Sequence, residues 1–215
     1  MRAAHFLAEP QALPGWFGKL PGIGDFAHRR LPAAFRAAWD GWLQEGLMQL
    51  RLRHEGEWHA RYLEGPLWFF VLAPGVADGQ AWAGVMMPSV DGVGRYFPFT
   101  VAAPLQGTMP AAAEWPALLA WWRCAAQAAL QALEQDLDAA AFDALLAAMH
   151  GSTGSATEAG EAPAWPTHGQ SLWLTQPEAT GAPVLTAAGL PRGTRFDLLF
   201  GFDDRTEGSL PEVAR

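Results

Sequence analysis

Leu67-Trp68-Phe69-Phe70-Val71-Leu72 is an unbroken apolar run closed by Ala73-Pro74-Gly75, and it decides the fold class. A short continuous run bounded by turn residues reads as a buried strand. Ala81 to Met87 reads as a second strand, with Asp78-Gly79 marking the turn between them, and Phe97 to Ala103 as a third. Their connections are too short for parallel crossovers, so the three form an antiparallel meander.

Outward from this meander, helical spacing takes over. Phe35, Trp39, Trp42, Leu43, Leu47 and Leu50 recur at three- and four-residue steps and predict a helix from about Leu31 to Arg53, with Pro32 suited to its first turn. Arg29, Arg30 and Arg36 stand near its start, where the helix dipole disfavours cations, so nearby carboxylates or an acidic partner are expected to hold them. Glu114 to Glu134 predicts a long helix, and Asp138 to His150 a second one capped by Asp138. Ser171 to Thr175 returns to strand alternation, Pro183 to Thr186 is placed to pair with it, and Thr194 to Phe202 reads as a short helix capped by Thr194. Strands and helices without βαβ alternation give an α+β class, a single-domain sandwich with a largely antiparallel sheet packed against helices. The expected domain spans residues 15–202, with a flexible leader at 1–14, a mobile loop at about 151–169 and an acidic tail at 203–215.

Composition narrows the function. The chain has 215 residues, half of them hydrophobic, and a formal net charge of −8, which argues against nonspecific nucleic-acid binding. The charge is uneven: residues 1–61 hold eight basic and six acidic side chains, the rest six and sixteen. Eleven tryptophans are unusual; simple core is their commoner role, and some are expected to line a groove or interface. The single cysteine, Cys124, excludes an internal disulfide. No run of about 18 apolar residues suits a membrane span and no secretory leader pattern opens the chain, which favours a cytoplasmic setting.

Two glycine-rich loops carry the chemistry. Gly15-Trp16-Phe17-Gly18-Lys19-Leu20-Pro21-Gly22-Ile23-Gly24-Asp25-Phe26 holds the only lysine of the chain. Trp16 to Leu20 reads as a short strand leading into this loop. A phosphate-binding reading of Gly18-Lys19 fails on spacing: Leu13 stands where a P-loop needs its first glycine, Leu20 follows the lysine, and no helix begins there. The second loop, Pro88 to Tyr96, carries Asp91, Gly94 and Arg95. Asp25 and Asp91 could together ligate a divalent metal through oxygen, but no third acid joins them; an aspartate in a glycine turn more often accepts its own backbone N–H groups. An Asp25–Arg95 ion pair of bidentate geometry is an equally good bridge between the loops. No nucleophile stands in a catalytic setting: Ser89 and Ser171 lack a GxSxG elbow, and the His54, Glu57 and His59 group reads as a solvated helix end.

Three ordered stretches resemble the TagF (ImpM) family. They are Gly15 to Phe26 with Leu31-Pro32, Phe35, Trp39-Asp40 and Trp42-Leu43; Ser89 to Thr100; and Ser171 to Thr175 with Gly189-Leu190-Pro191 and Phe196. The resemblance runs from about residue 15 to 200. Leu174 stands where the family commonly has a second tryptophan. The resemblance implies an α/β sandwich, no established catalytic activity, no cofactor, and a cytoplasmic post-translational repressor of the type VI secretion system in Gram-negative bacteria. It implies action through the forkhead-associated scaffold protein, beside a threonine-phosphorylation pathway. Some members carry a fused PP2C-type phosphatase domain, for which this chain is too short.

The expected site therefore has Lys19, Gly22, Gly24, Asp25, Asp91, Gly94, Arg95 and Tyr96 as partner contacts or loop braces, with Trp16, Trp39 and Trp42 as apolar anchors of the kind interfaces favour. The alternative is a small-ligand- or metal-binding enzyme using the Asp25 and Asp91 loops.

Overall fold

A computed structural model describes residues 6–9, 12–107, 109–150, 160–179 and 181–202. The expected tail at 203–215 lies outside the described residues.

The strands are β1 (Gly15–Gly18), β2 (Ala27–Arg29), β3 (Trp68–Leu72), β4 (Trp82–Met87), β5 (Phe99–Pro104), β6 (Gln170–Leu174) and β7 (Val184–Ala188). They form one sheet in the order β2-β1-β5-β4-β3-β6-β7, and every neighbouring pair is antiparallel. The meander read from the apolar runs is its centre. The helices are α1 (Ala33–Arg53), α2 (Trp58–Glu64), α3 (Trp115–Glu134), α4 (Ala139–His150) and α5 (Thr194–Leu198). The molecule is α+β, one domain.

Both faces of the sheet are covered, which explains why its central strands are apolar on both sides. Along β3, Trp68, Phe70 and Leu72 point into one core with Phe35, Trp39, Trp42, Leu43, Leu47 and Leu50 of α1. Phe69 and Val71 point to the opposite core, with Leu118, Leu119 and Trp122 of α3 and Phe142 of α4. Neighbouring strand residues alternate faces, so one strand serves two cores.

Four expectations are corrected. Phe6 and Leu7, expected in a flexible leader, are buried, and Leu7 pairs with Leu105 in an antiparallel bridge. These two buried side chains and the backbone bonds from Ala8 N–H to Pro104 and from Gln106 N–H to Phe6 hold this part of the chain on the sheet; residues 1–5, 10 and 11 lie outside the described residues. Of the expected mobile loop, 151–159 likewise lies outside them, while Ala162 and Trp165 pack against the α3–α4 core. The Trp165 ring meets that of Trp115 at 5.6 Å, a contact that composition alone conceals. The last helix ends at Leu198, and its cap position is Gly193, at φ 58°, with no side-chain cap bond, not Thr194. Three short elements were missed: the three-residue β2, the seven-residue α2 and the 3-10 turn Ala112–Glu114 before α3, each too brief to show periodicity.

Two of the three arginines near the start of α1 meet a carboxylate, whereas Arg36 donates to the Leu31 carbonyl at 3.2 Å instead. Asp143 of α4 accepts hydrogen bonds from Arg30 at 2.6 Å and from the Trp16 indole at 2.8 Å, and lies 3.8 Å from Arg29. Asp138 caps α4 as expected, its Oδ1 accepting the Ala140 and Ala141 N–H groups.

Candidate functional site

The two glycine loops meet at one end of the sheet. The first leaves the end of β1; the second joins β4 to β5, the strand that pairs with β1. Lys19 is buried directly after β1, and its Nζ lies 2.7 Å from Asp91 Oδ2. The Lys19 carbonyl accepts the Ser89 hydroxyl at 2.7 Å. Behind them, the Tyr62 hydroxyl of α2 bonds the Ser89 backbone at 3.2 Å on both sides, donating to the carbonyl and accepting from the N–H. Burial raises the Tyr62 pKa above its ordinary range, so this group stays neutral.

Asp91 organises the second loop. Its Oδ1 accepts the Val93 and Arg95 N–H groups at 3.1 and 2.9 Å, and its Oδ2 accepts Lys19 Nζ and Arg95 Nε at 2.7 and 2.6 Å. Desolvation pushes its pKa upward, but hydrogen bonds from Lys19 and from the backbone and side chain of Arg95 more than offset this and hold the carboxyl well below its ordinary value. A carboxylate has about four lone-pair sites, and four donors occupy them here. Nothing is left for a metal ion, and two cations already neutralise the charge. Among the described residues no group of three His, Cys, Asp or Glu side chains could hold a metal.

Arg95 reaches across to the first loop, where its NH2 donates to the Gly24 carbonyl at 2.6 Å. The expected bidentate pair with Asp25 is corrected. Asp25 stands 4.0 Å from the Arg95 guanidinium, is 80% exposed, and accepts the Phe26 N–H from its own backbone. The inward acid is Asp91 because the turn aims its N–H groups at that carboxylate. Gly22 is fixed by space, since a Cβ there would fall 2.1 Å from the Asp136 carbonyl between α3 and α4. Gly24 has open space around it, so only its carbonyl matters. Gly94 sits at φ 80° with its N–H donated to the Asp91 carbonyl. The Tyr96 ring lies edge-on to Tyr62, Trp58 and His59. The eight polar and glycine positions expected from the sequence thus fall together.

The three tryptophans do not join them. Trp16 lies in the α3–α4 core, Trp39 and Trp42 in the α1 core, and all are shut off from water. Their N–H groups are spent on Asp143, Thr100 Oγ1 and the Pro191 carbonyl. They anchor the fold, not a partner. The tryptophan that lines the surface beside these loops is Trp58, which the sequence reading did not single out; it opens a seven-residue helix too short for an apolar stripe to mark it. His54, grouped there with Glu57 and His59, turns to Asp197 instead, 3.2 Å away beside the Arg53 guanidinium.

A helix-clad antiparallel sheet with a charge-braced double loop at one end is the class these features define. The model for the TagF N-terminal domain, type VI secretion system-associated, matches residues 15–149, and the chain belongs to that family. The crystal structure of PA0076 from Pseudomonas aeruginosa PAO1 is similar over 94% of this chain and 99% of that one, with 30% sequence identity and a TM-score of 0.68. No curated protein matches the chain. No described helix is long and apolar enough to cross a membrane.

Proposed function

We propose that this chain is a cytoplasmic repressor of type VI secretion that works by protein–protein interaction, acting on the forkhead-associated scaffold pathway. Its family supports the secretion context. One observation supports binding over chemistry. The loop pair ties Lys19 and Arg95 onto the buried Asp91 and holds its apolar tips outward beside the exposed Asp25: Phe26 is 46% exposed and Val93 74%. Apolar side chains held outward by a rigid polar frame are a recognition surface at low entropic cost.

The test is a binding screen of the purified chain against each purified cytoplasmic component of the secretion system, the forkhead-associated scaffold included. It is paired with an effector-release assay in cells that overproduce the chain. The expected result is capture of the scaffold and reduced release, both weakened by Phe26→Ala. Failure to bind any component, or repression that is indifferent to the loop tips, would overturn the proposal.

A further inference from the structure

Beside the braced loops runs a concave surface of about 650 Å³. One wall is the outer face of α1, where Gln44, Met48, Arg51 and Leu52 follow one another at helical spacing. The other wall is aromatic: Phe26 and Tyr96 from the two loops and Trp58 at the start of α2. Met48 and Leu52 are 54% and 65% exposed. On a helix whose opposite face is buried, two such side chains one turn apart extend the apolar surface of the loop tips into a groove.

Two features say what fits there. The first is backbone chemistry. No β-strand lines the groove, so it offers no free row of N–H and C=O groups to an extended chain. A helix satisfies its own backbone and needs only side-chain contacts. The stretch from Gln44 to Leu52 is about 12 Å long at 1.5 Å per residue, which matches a little over two turns of a partner helix.

The second feature is charge. The Arg51 guanidinium stacks 4.3 Å from the Trp58 ring. Glu55 lines the same groove one turn further along α1, but among the described residues neither it nor any other carboxylate lies within ion-pair distance of Arg51. Stacking leaves its N–H edge free, and arginine presents that edge to carboxylates in bidentate fashion. It is a fixed cation on a molecule of net charge −8.

We infer that this groove docks an amphipathic helix from a partner protein, with aliphatic side chains between α1 and the Phe26, Trp58 and Tyr96 wall and a carboxylate at the edge of its apolar face paired to Arg51. This rests on the protein-binding reading above and supplies the site and the chemistry of the ligand.

The experiment uses two fluorescent 18-residue helical peptides with the same leucine face, differing at one border position as Glu or Lys. They are titrated by anisotropy into the full chain, into Arg51→Glu and into Leu52→Glu. Both altered positions are solvent-exposed, and circular dichroism checks that each variant folds. The Glu peptide should bind at least tenfold more tightly than the Lys peptide. The preference should reverse in Arg51→Glu, and binding of both should fall at least tenfold in Leu52→Glu. Equal binding of the two peptides, no reversal, or no effect of Leu52→Glu would overturn the inference. So would a concentration-dependent dimer that Leu52→Glu dissolves, which would make a second copy the occupant. Glu-peptide binding that appears only after deletion of residues 203–215 would assign the groove to the chain's own tail and overturn it as well. Scaffold capture that survives Leu52→Glu would leave the repressor reading standing with this groove excluded from it.

Discussion

Lys19 Nζ and Asp91 Oδ2 stand 2.7 Å apart with their side chains almost wholly removed from water, and the contact ties the end of β1 to the loop between β4 and β5. Removing one member of a buried pair leaves the other charge stranded, at a cost of about 3–5 kcal/mol. Arg95 still contacts Asp91, so Lys19→Met is expected near the low end, about 3 kcal/mol. Urea unfolding monitored by tryptophan fluorescence measures this. A double-mutant cycle with Asp91→Asn should show strong coupling, and additive losses would mean that the two side chains do not support each other.

The same pair sets a pH dependence. Desolvation pushes the Asp91 carboxyl upward, but the hydrogen bonds from Lys19, Arg95 and the Val93 N–H together outweigh it and hold the group well below its ordinary value of about 4. A depressed folded-state pKa contributes stability above the unfolded pKa, and that stability is lost as pH falls toward the folded value. As pH falls through and below about 4 the protein should progressively lose stability through Asp91. Asp143, depressed by Arg30 and Trp16 against its own desolvation, adds a loss of the same sign. Urea midpoints between pH 2 and 7 should fall steeply below pH 4, and less steeply in Asp91→Asn, which is weaker at neutral pH but has lost one titrating group. Parallel acid limbs would contradict the assignment.

Two glycines of α1 give opposite expectations for the same substitution. At Gly46 an added Cβ would fall 2.2 Å from the ring of Phe196, which is itself packed between Trp42 and Phe200 and has nowhere to move. At Gly41 nothing lies within 4 Å. Replacing an open helical glycine by alanine gains up to about 1 kcal/mol, whereas overpacking costs about 1–3 kcal/mol. Thermal unfolding should therefore show Gly41→Ala above the unmodified protein and Gly46→Ala below it.

Particular residues show how much of this was legible in the chain. Val71 sits in a run that is apolar at every position, and only a strand covered on both faces tolerates that; the central meander follows from such runs. Asp138 announced its helix because an acid before an apolar stripe has a defined capping role. The loop pair was legible as a pair, since Asp25 and Asp91 lie in glycine turns that adjoin predicted strands. Which charge meets which was not. Each loop offers one acid and one base, and the choice of Asp91 over Asp25 depends on where the backbone N–H groups of Val93 and Arg95 point. The tryptophans misled for a related reason. Trp39 and Trp42 lie on the apolar stripe of α1, but a stripe does not say whether it meets a sheet or a partner. Trp58, at the first position of a seven-residue helix, had too short a segment around it to carry a periodic signal.

Asp25 and Trp39 separate a binding role from a bracing role, because the structure puts them at opposite extremes of exposure. Asp25→Ala removes a carboxylate that is 80% exposed and only 4.0 Å from Arg95, so its effect on stability should be within about 0.5 kcal/mol, as for most exposed ion pairs. Trp39→Ala empties a fully buried site that stacks on Phe35 and bonds Thr100, at about 3–5 kcal/mol. A loss of repression in Trp39→Ala would therefore report unfolding. A loss in Asp25→Ala, with an unchanged melting temperature, would report a contact made by the loop itself. Effector release and thermal melting measured on the same two variants decide the matter. Repression intact in Asp25→Ala would remove that carboxylate from the recognition surface and leave Phe26 and Val93 as the tips that act.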